Sequence, residues 1–214
     1  MSEARPSLYR STLSLGLVAV LGTALLSAVN QLTARRIAEQ ERRVVLEQLG
    51  QIIPPDRYDN ELQDDWFAFS DATWFPQVQQ VVAYRARRDG QPVAVILRFA
   101  AVDGYSGHIG LLAGIEADGR LAGVRVTSHR ETPGLGDAIE TEKSDWIRAF
   151  DGKSLGAPAA SDWTVRRDGG VFDQFTGATI TPRAVVKAVR AALEYHESHR
   201  EALYGESAHP EEAP

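Results

Sequence analysis

The sequence predicts an α+β domain, an antiparallel sheet with flanking helices, preceded by one N-terminal transmembrane helix. Three observations carry this. An uncharged apolar run occupies residues 13–29. Four strand-patterned segments lie between residues 78 and 128, separated by glycine-bearing turns. A helical periodicity begins at Pro182 and runs to about Leu203. The expected divisions are an anchor and juxtamembrane helix at 1–53, a folded domain at 54–205 and a flexible acidic tail at 206–214.

The apolar run consists of Leu, Val, Ala, Gly and a few Ser and Thr, with Arg10 before it and Arg35-Arg36 after it. Its length suits a short spanning helix, and Asn30, Gln31 and Leu32 extend it toward the interface. A cleaved signal peptide is the competing reading, with Arg5 and Arg10 as its basic start. No small-x-small cleavage site follows, however. The helical pattern continues through Ile37, Val44, Val45, Leu49 and Ile52 until Pro54-Pro55 stops it. An uncleaved anchor is therefore expected. Arg35, Arg36, Arg42 and Arg43 outweigh Arg5 and Arg10, which taken alone places the following domain in the cytoplasm. The interleaved Glu39, Glu41 and Glu47 change that count little.

After a polar stretch through Asp64-Asp65, segments 78–87 and 92–101 are rich in Val, Ala, Tyr and Phe. Arg88-Asp89-Gly90-Gln91 separates them and reads as a hairpin. A second pair, 109–116 and 121–128, is joined at Ala117-Asp118-Gly119-Arg120. Helices at 144–150 and 182–203 are expected to cover the resulting sheet. Two glycine-bearing loops flank the second hairpin: Asp103-Gly104-Tyr105-Ser106-Gly107 before it, and His129-Arg130-Glu131-Thr132-Pro133-Gly134-Leu135-Gly136 after it. Read as residues alone, either is a turn that needs positive φ.

The last helix is preceded by Asp173-Gln174-Phe175-Thr176-Gly177-Ala178-Thr179. Thr181 reads as its N-cap and Pro182 as its first helical residue, where a missing N–H costs nothing. Val185, Val186, Val189, Ala192, Leu193 and His196 recur at helical spacing. Thr179 then lies just ahead of a helix N-terminus, where unpaired amides and the positive end of the dipole favour an anion. Gly177 and Ala178 keep bulky side chains away from that point. Without further information such a segment is only a cap and a turn.

The residues D-Q-F-T-G-A-T resemble the motif on which flavin transferases attach FMN to a threonine through its phosphate. FTGATITPRAVV is similar to the G subunit of the Rnf-type membrane electron-transport complex. HRETPGLGD is similar to the corresponding loop of that protein and of the related C subunit of the sodium-pumping NADH:quinone oxidoreductase, and GYSGHIGLL is a supporting match. The resemblance implies that Thr179 carries covalent FMN as a phosphoester. It implies further that Asp173 belongs to the transferase recognition motif, with Thr176, Gly177 and Ala178 around the acceptor. Glu131, Thr132, Gly134, Leu135 and Gly136 become candidate flavin contacts, with Leu135 packing on the ring and the glycines opening backbone amides to the ligand. A threonine hydroxyl is a poor nucleophile, so Thr179 reads as an acceptor served by a separate enzyme rather than as a catalyst.

By the same resemblance the chain is a redox subunit that relays electrons within an ion-translocating complex. Its implied partners are other membrane subunits carrying flavins or iron–sulfur clusters. Its implied place is the bacterial inner membrane, single-pass, with the domain on the periplasmic side, against the charge count. The alternative is a membrane-anchored assembly or sensor domain without covalent flavin, and noncovalent FMN is a third reading.

Composition narrows the field. The 214 residues, 43% hydrophobic and 24% charged, suffice for one substantial domain plus an appended element. A net charge of -6 argues against nucleic acid as a partner. With no cysteine, the chain has no thiolate for an iron–sulfur cluster and forms no disulfide. His196 and His199 lie one turn apart and could share a metal, but with no third ligand nearby they read as a solvated or packing pair. No Rossmann or Walker fingerprint and no G-x-S-x-G elbow is present, so NADH or ATP is not expected to bind here directly. No catalytic residue and no metal ligand is assigned.

Overall fold

The computed structural model describes residues 12–23, 27, 47–77 and 80–205. The chain divides between residues 45 and 46 into two compact units. In the first, residues 12–23 are helical and their apolar side chains are exposed. The span expected at 13–29 extends beyond the described residues. Among the described residues no helix is long and apolar enough to cross a membrane.

The second unit is built on a five-stranded antiparallel sheet whose spatial order follows the sequence: β1 (Trp66–Phe69), β2 (Val81–Arg88), β3 (Gln91–Gly104), β4 (Gly107–Glu116) and β5 (Leu121–Ser128). The four strands expected between 78 and 128 are present as β2 to β5, and residues 78 and 79, at the expected start of the first, lie outside the described residues. β1 is an addition, four residues between polar neighbours that carry too short a pattern to read, yet it pairs with β2 from Trp66↔Tyr84 to Phe69↔Val81. Asp89 and Gly90 both have positive φ (51° and 74°), as a two-residue hairpin requires of its central residues. The loop at 103–107 is itself a hairpin turn, closing β3 on β4 through Gly104↔Gly107.

One face of the sheet supplies the main core. Val81, Ala83, Val95, Leu97, Phe99, Ile109, Leu111 and Ile115 lie with Val185, Val189, Ala192 and Leu193 of the helix Ile180–Ser198. Burying each such side chain stabilises the fold by roughly 1.5–3 kcal/mol. The opposite face is covered by the helical turn before Pro54, whose Leu49, Ile52 and Ile53 are buried. A Cβ on Gly114 would lie 2.3 Å from the Ile52 side chain, so β4 is bare at the point where Ile52 packs.

Two expected boundaries are corrected. The helix starts at Ile180, not Pro182, and its N-cap is Thr179, not Thr181. Thr181 sits in the first turn, fully buried, and its hydroxyl is used by a distant residue instead of by the backbone. Pro182 still lies in that first turn, where its missing N–H leaves no intrahelical bond unmade. The helix also breaks at His199 (φ -126°), and a short helix Arg200–Tyr204 follows. The helix expected at 144–150 is a 3₁₀ helix, Trp146–Phe150.

Candidate functional site

Two glycine turns face each other beside the N-terminus of the long helix. In Thr132-Pro133-Gly134-Leu135, the Leu135 N–H donates to the Thr132 carbonyl (3.1 Å), and Gly134 has φ 79°. In Phe175-Thr176-Gly177-Ala178, the Ala178 N–H donates to the Phe175 carbonyl (3.1 Å), and Gly177 has φ 81°. Each places glycine at the third turn position, where positive φ excludes ordinary side chains; proline at the second position completes the type II preference in the first turn. A Cβ on Gly177 would sit 3.7 Å from the Leu135 side chain, so the two turns are in van der Waals reach.

Between them lies a cavity of about 300 Å³. One wall is Glu131, Thr132, Leu135 and Gly136; the other is Gly177, Ala178, Thr179, Ile180 and Thr181; Tyr105 from the β3–β4 turn closes a third side. Of the residues singled out in sequence, seven therefore line one cavity: Glu131, Thr132, Leu135, Gly136, Gly177, Ala178 and Thr179. Gly134 and Thr176 shape the turns without lining it. Asp173 lies outside it, exposed and paired with Arg166 (3.1 Å). Tyr105, Ile180 and Thr181 complete the cavity and carry no local sequence signal for that role.

Glu131 organises the site. It is 4% exposed, and its Oε1 accepts the Ser106 N–H (2.9 Å) while its Oε2 accepts the Thr181 hydroxyl. One carboxylate thus joins the β3–β4 turn, the loop after β5 and the first turn of the helix. Its own N–H donates to His129 Nδ1 (3.0 Å), which leaves the His129 proton on Nε2, facing Glu140 Oε1 at 2.6 Å. Gly136 must lack a side chain here, since a Cβ would lie 2.9 Å from both the Glu131 Cβ and Oε2. Among the described residues Glu131 is the only carboxylate lining the cavity, and no Lys or Arg lines it.

Residues 173–179 are held from behind by aromatic packing. The Trp146 indole N–H donates to the Asp173 carbonyl (2.7 Å), and its ring meets Phe175 edge-on at 5.1 Å. Phe150, Trp163 and Phe172 continue the stack beneath it. Thr179 caps the helix by its backbone position alone, and its side chain makes no capping bond. Arg183 and Lys187 tie the first turns outward, to Asp168 (2.7 and 2.9 Å) and Asp103 (2.5 Å). Hydrogen bonding from Arg183 holds the Asp168 carboxyl below the usual range. The two histidines point to separate partners: His196 Nε2 faces the Tyr204 hydroxyl (3.0 Å) and His199 Nδ1 the Tyr195 carbonyl (3.1 Å).

The residues present suit a flavin nucleotide. Leu135, Ile180 and Tyr105 offer apolar surface, 44%, 46% and 68% exposed, while the helix N-terminus offers free amides for a phosphate. The volume lies at the lower end of the range ligand sites occupy, as fits a cofactor seated in an open cleft.

A small antiparallel sheet backed by one long helix, with a cleft at the helix start, is here the frame of a flavin protein: the FMN-binding domain family matches residues 104–194. The RnfG N-terminal region matches residues 1–52. Over nearly its whole length the chain is similar to proteins named as the G subunit of the ion-translocating oxidoreductase complex. That of Pseudomonas aeruginosa is 50% identical over 213 residues, covering 98% of this chain and 96% of the relative. That of Shewanella piezotolerans is 44% identical over 199 residues, covering 93% and 94%. That of Vibrio cholerae is 43% identical over 200 residues, covering 94% and 95%. The chain belongs to this family, the G subunits of ion-translocating oxidoreductase complexes.

Proposed function

We propose that this chain is the FMN-bearing redox subunit of a membrane ion-translocating electron-transport complex, with FMN esterified through its phosphate to Thr179. The observation that carries the reading is the position of Thr179. Its hydroxyl is not spent on capping, and it stands at a helix N-terminus on the wall of a cleft with apolar sides. A phosphodiester there is met by unpaired amides and the positive end of the helix. Leu135 and Tyr105 flank the space left for the ring.

FMN supplies the electron chemistry when bound; the protein positions it and sets its electrostatic surroundings. Formation of the ester requires the Thr179 oxygen to displace a leaving group from the phosphorus of an activated flavin, such as a flavin dinucleotide. One P–O bond forms as another breaks, a nucleoside monophosphate departs, and the hydroxyl proton passes to a base of the transferase. Among the described residues, none lining the cleft is a histidine or lysine that would play that base. The open side of the cleft leaves the ring within reach of redox centres on neighbouring subunits. In this reading residues 13–29 anchor the chain, 54–205 form the flavin domain, and Asp173 belongs to the surface the transferase reads.

The test is mass spectrometry of the denatured chain after membrane expression with a flavin transferase. An added FMN phosphoester on the peptide containing Thr179 is expected; an unmodified peptide under conditions that label a known acceptor removes the covalent reading. Sidedness is separately measurable because the chain has no cysteine. Ser161→Cys, in an exposed 3₁₀ helix, should react with a membrane-impermeant maleimide added to intact spheroplasts. Labelling only after lysis would place the domain on the cytoplasmic face.

A further inference from the structure

Glu131 presents a feature that positioning alone does not require. It is a buried carboxylate on the wall of the flavin cleft, held by one backbone N–H and one hydroxyl, with no cation among the described residues lining the cleft to balance it. A neutral amide would join Ser106 to Thr181 equally well, since it offers one acceptor and one donor. Both of its oxygens accept hydrogen bonds. The Ser106 N–H must donate, the Thr181 hydroxyl has no other hydrogen-bond partner among the described residues, and Thr181 lies in the first turn at the positive end of the helix Ile180–Ser198. The phosphate esterified to Thr179 would draw on the same helix end. Two anions then share one helix N-terminus, and little positive potential remains to receive further negative charge.

We infer that Glu131 is an electrostatic determinant of the flavin's reduction potential: its fixed negative charge opposes electron addition to FMN in this cleft and keeps the potential low. The inference rests on the reading of Thr179 as the flavin acceptor. It makes the cleft one that favours giving electrons up over storing them. Gly136 shows that room for this side chain is built in: a Cβ there would lie 2.9 Å from Oε2. The carboxylate therefore occupies space that Gly136 leaves to it.

The experiment is spectroelectrochemical titration of the full-length flavinylated protein, wild type beside Glu131→Gln. Peptide mapping of the same samples confirms FMN on Thr179. The amide keeps both hydrogen bonds and removes the charge, so the midpoint should move to higher potential with the thermal midpoint nearly unchanged. Equal midpoints in two labelled, folded proteins overturn the inference and leave the acceptor assignment standing. Absence of FMN from the wild-type Thr179 peptide sinks the acceptor assignment instead. Should Glu131→Gln fail to fold, the wild type alone decides. With ¹³C-labelled glutamate, its reduced-minus-oxidised infrared spectrum should contain a shifted glutamate carboxylate band, and a spectrum without one rejects the proposal.

Discussion

At the residue scale, Thr179, Gly177 and Gly136 separate three kinds of constraint. Thr179→Val removes an oxygen that caps nothing, so stability should change by less than about 0.5 kcal/mol in urea titration while covalent flavin is lost. Retained covalent flavin would show that another residue is the acceptor. Gly177→Ala meets only ordinary van der Waals contact with Leu135 but the wrong backbone, φ 81°, and should cost about 1 kcal/mol. Gly136→Ala meets Glu131 at 2.9 Å and should cost more, since that carboxylate is held at both oxygens and cannot yield cheaply. Sequence alone exposed the glycines and Thr179 because turn chemistry and family motifs are local. It misassigned the cap to Thr181 because the claim on that hydroxyl comes from Glu131, fifty positions earlier. No periodicity records such a claim. Buried His196 is a further case. Burial, and secondarily the charge of Arg200, lowers its pKa from 6.5 to about 4. The unfolded chain takes up that proton first, so stability should fall as pH drops from about 6.5 and level off below about 4, by roughly 2–3 kcal/mol. His196→Gln should flatten that slope in urea titrations across the same pH range.

At the element scale, the short terminal helix is fastened to the sheet by arginines. Arg85, 4% exposed, donates from Nε to the Leu203 carbonyl (2.9 Å) and from Nη1 to Asp65 (3.0 Å), with its guanidinium 4.4 Å from the Phe67 ring centre. Arg87 donates to the Tyr204 carbonyl (3.0 Å) and Asp65 (2.8 Å). These are cations placed at a helix C-terminus, the favourable pole. Arg85→Met should cost about 2 kcal/mol in urea titration, because it leaves the Leu203 carbonyl without its donor and Asp65 with Arg87 alone. Both arginines belong to a strand that sequence reading found, but nothing in an Arg-rich strand end says which helix it will hold. The same limit applies to Trp146. Its hydrogen bond to the Asp173 backbone fixes residues 173–179 from a 3₁₀ helix that the sequence marks only as helical. Trp146→Phe should lower flavinylation by blurring the presented segment while costing about 1 kcal/mol in stability. Undiminished labelling would show that the transferase reads the motif as a flexible strip.

At the scale of the whole molecule, four strands of the sheet were legible, while β1 and the cleft were not. Every strand pairs with its neighbour in sequence, so hairpin signals such as Asp89-Gly90 suffice to draw β2 to β5. The cleft gathers residues from 105 to 181. Only motif likeness placed them in one site, and Tyr105 and Ile180, which belong to no acceptor pattern, went unassigned. The N-terminal to C-terminal march of the strands has a consequence in time. Hairpins between adjacent segments close quickly, whereas a contact such as that of Glu131 with Thr181 must wait for a long loop to shut. The sheet should therefore exist before the cleft does. A chain emerging from the synthesis machinery completes its strands before residue 181 has joined them, and the carboxylate latch closes afterwards. A ligand that needs the finished cleft must therefore wait for this last contact, and not only for the sheet.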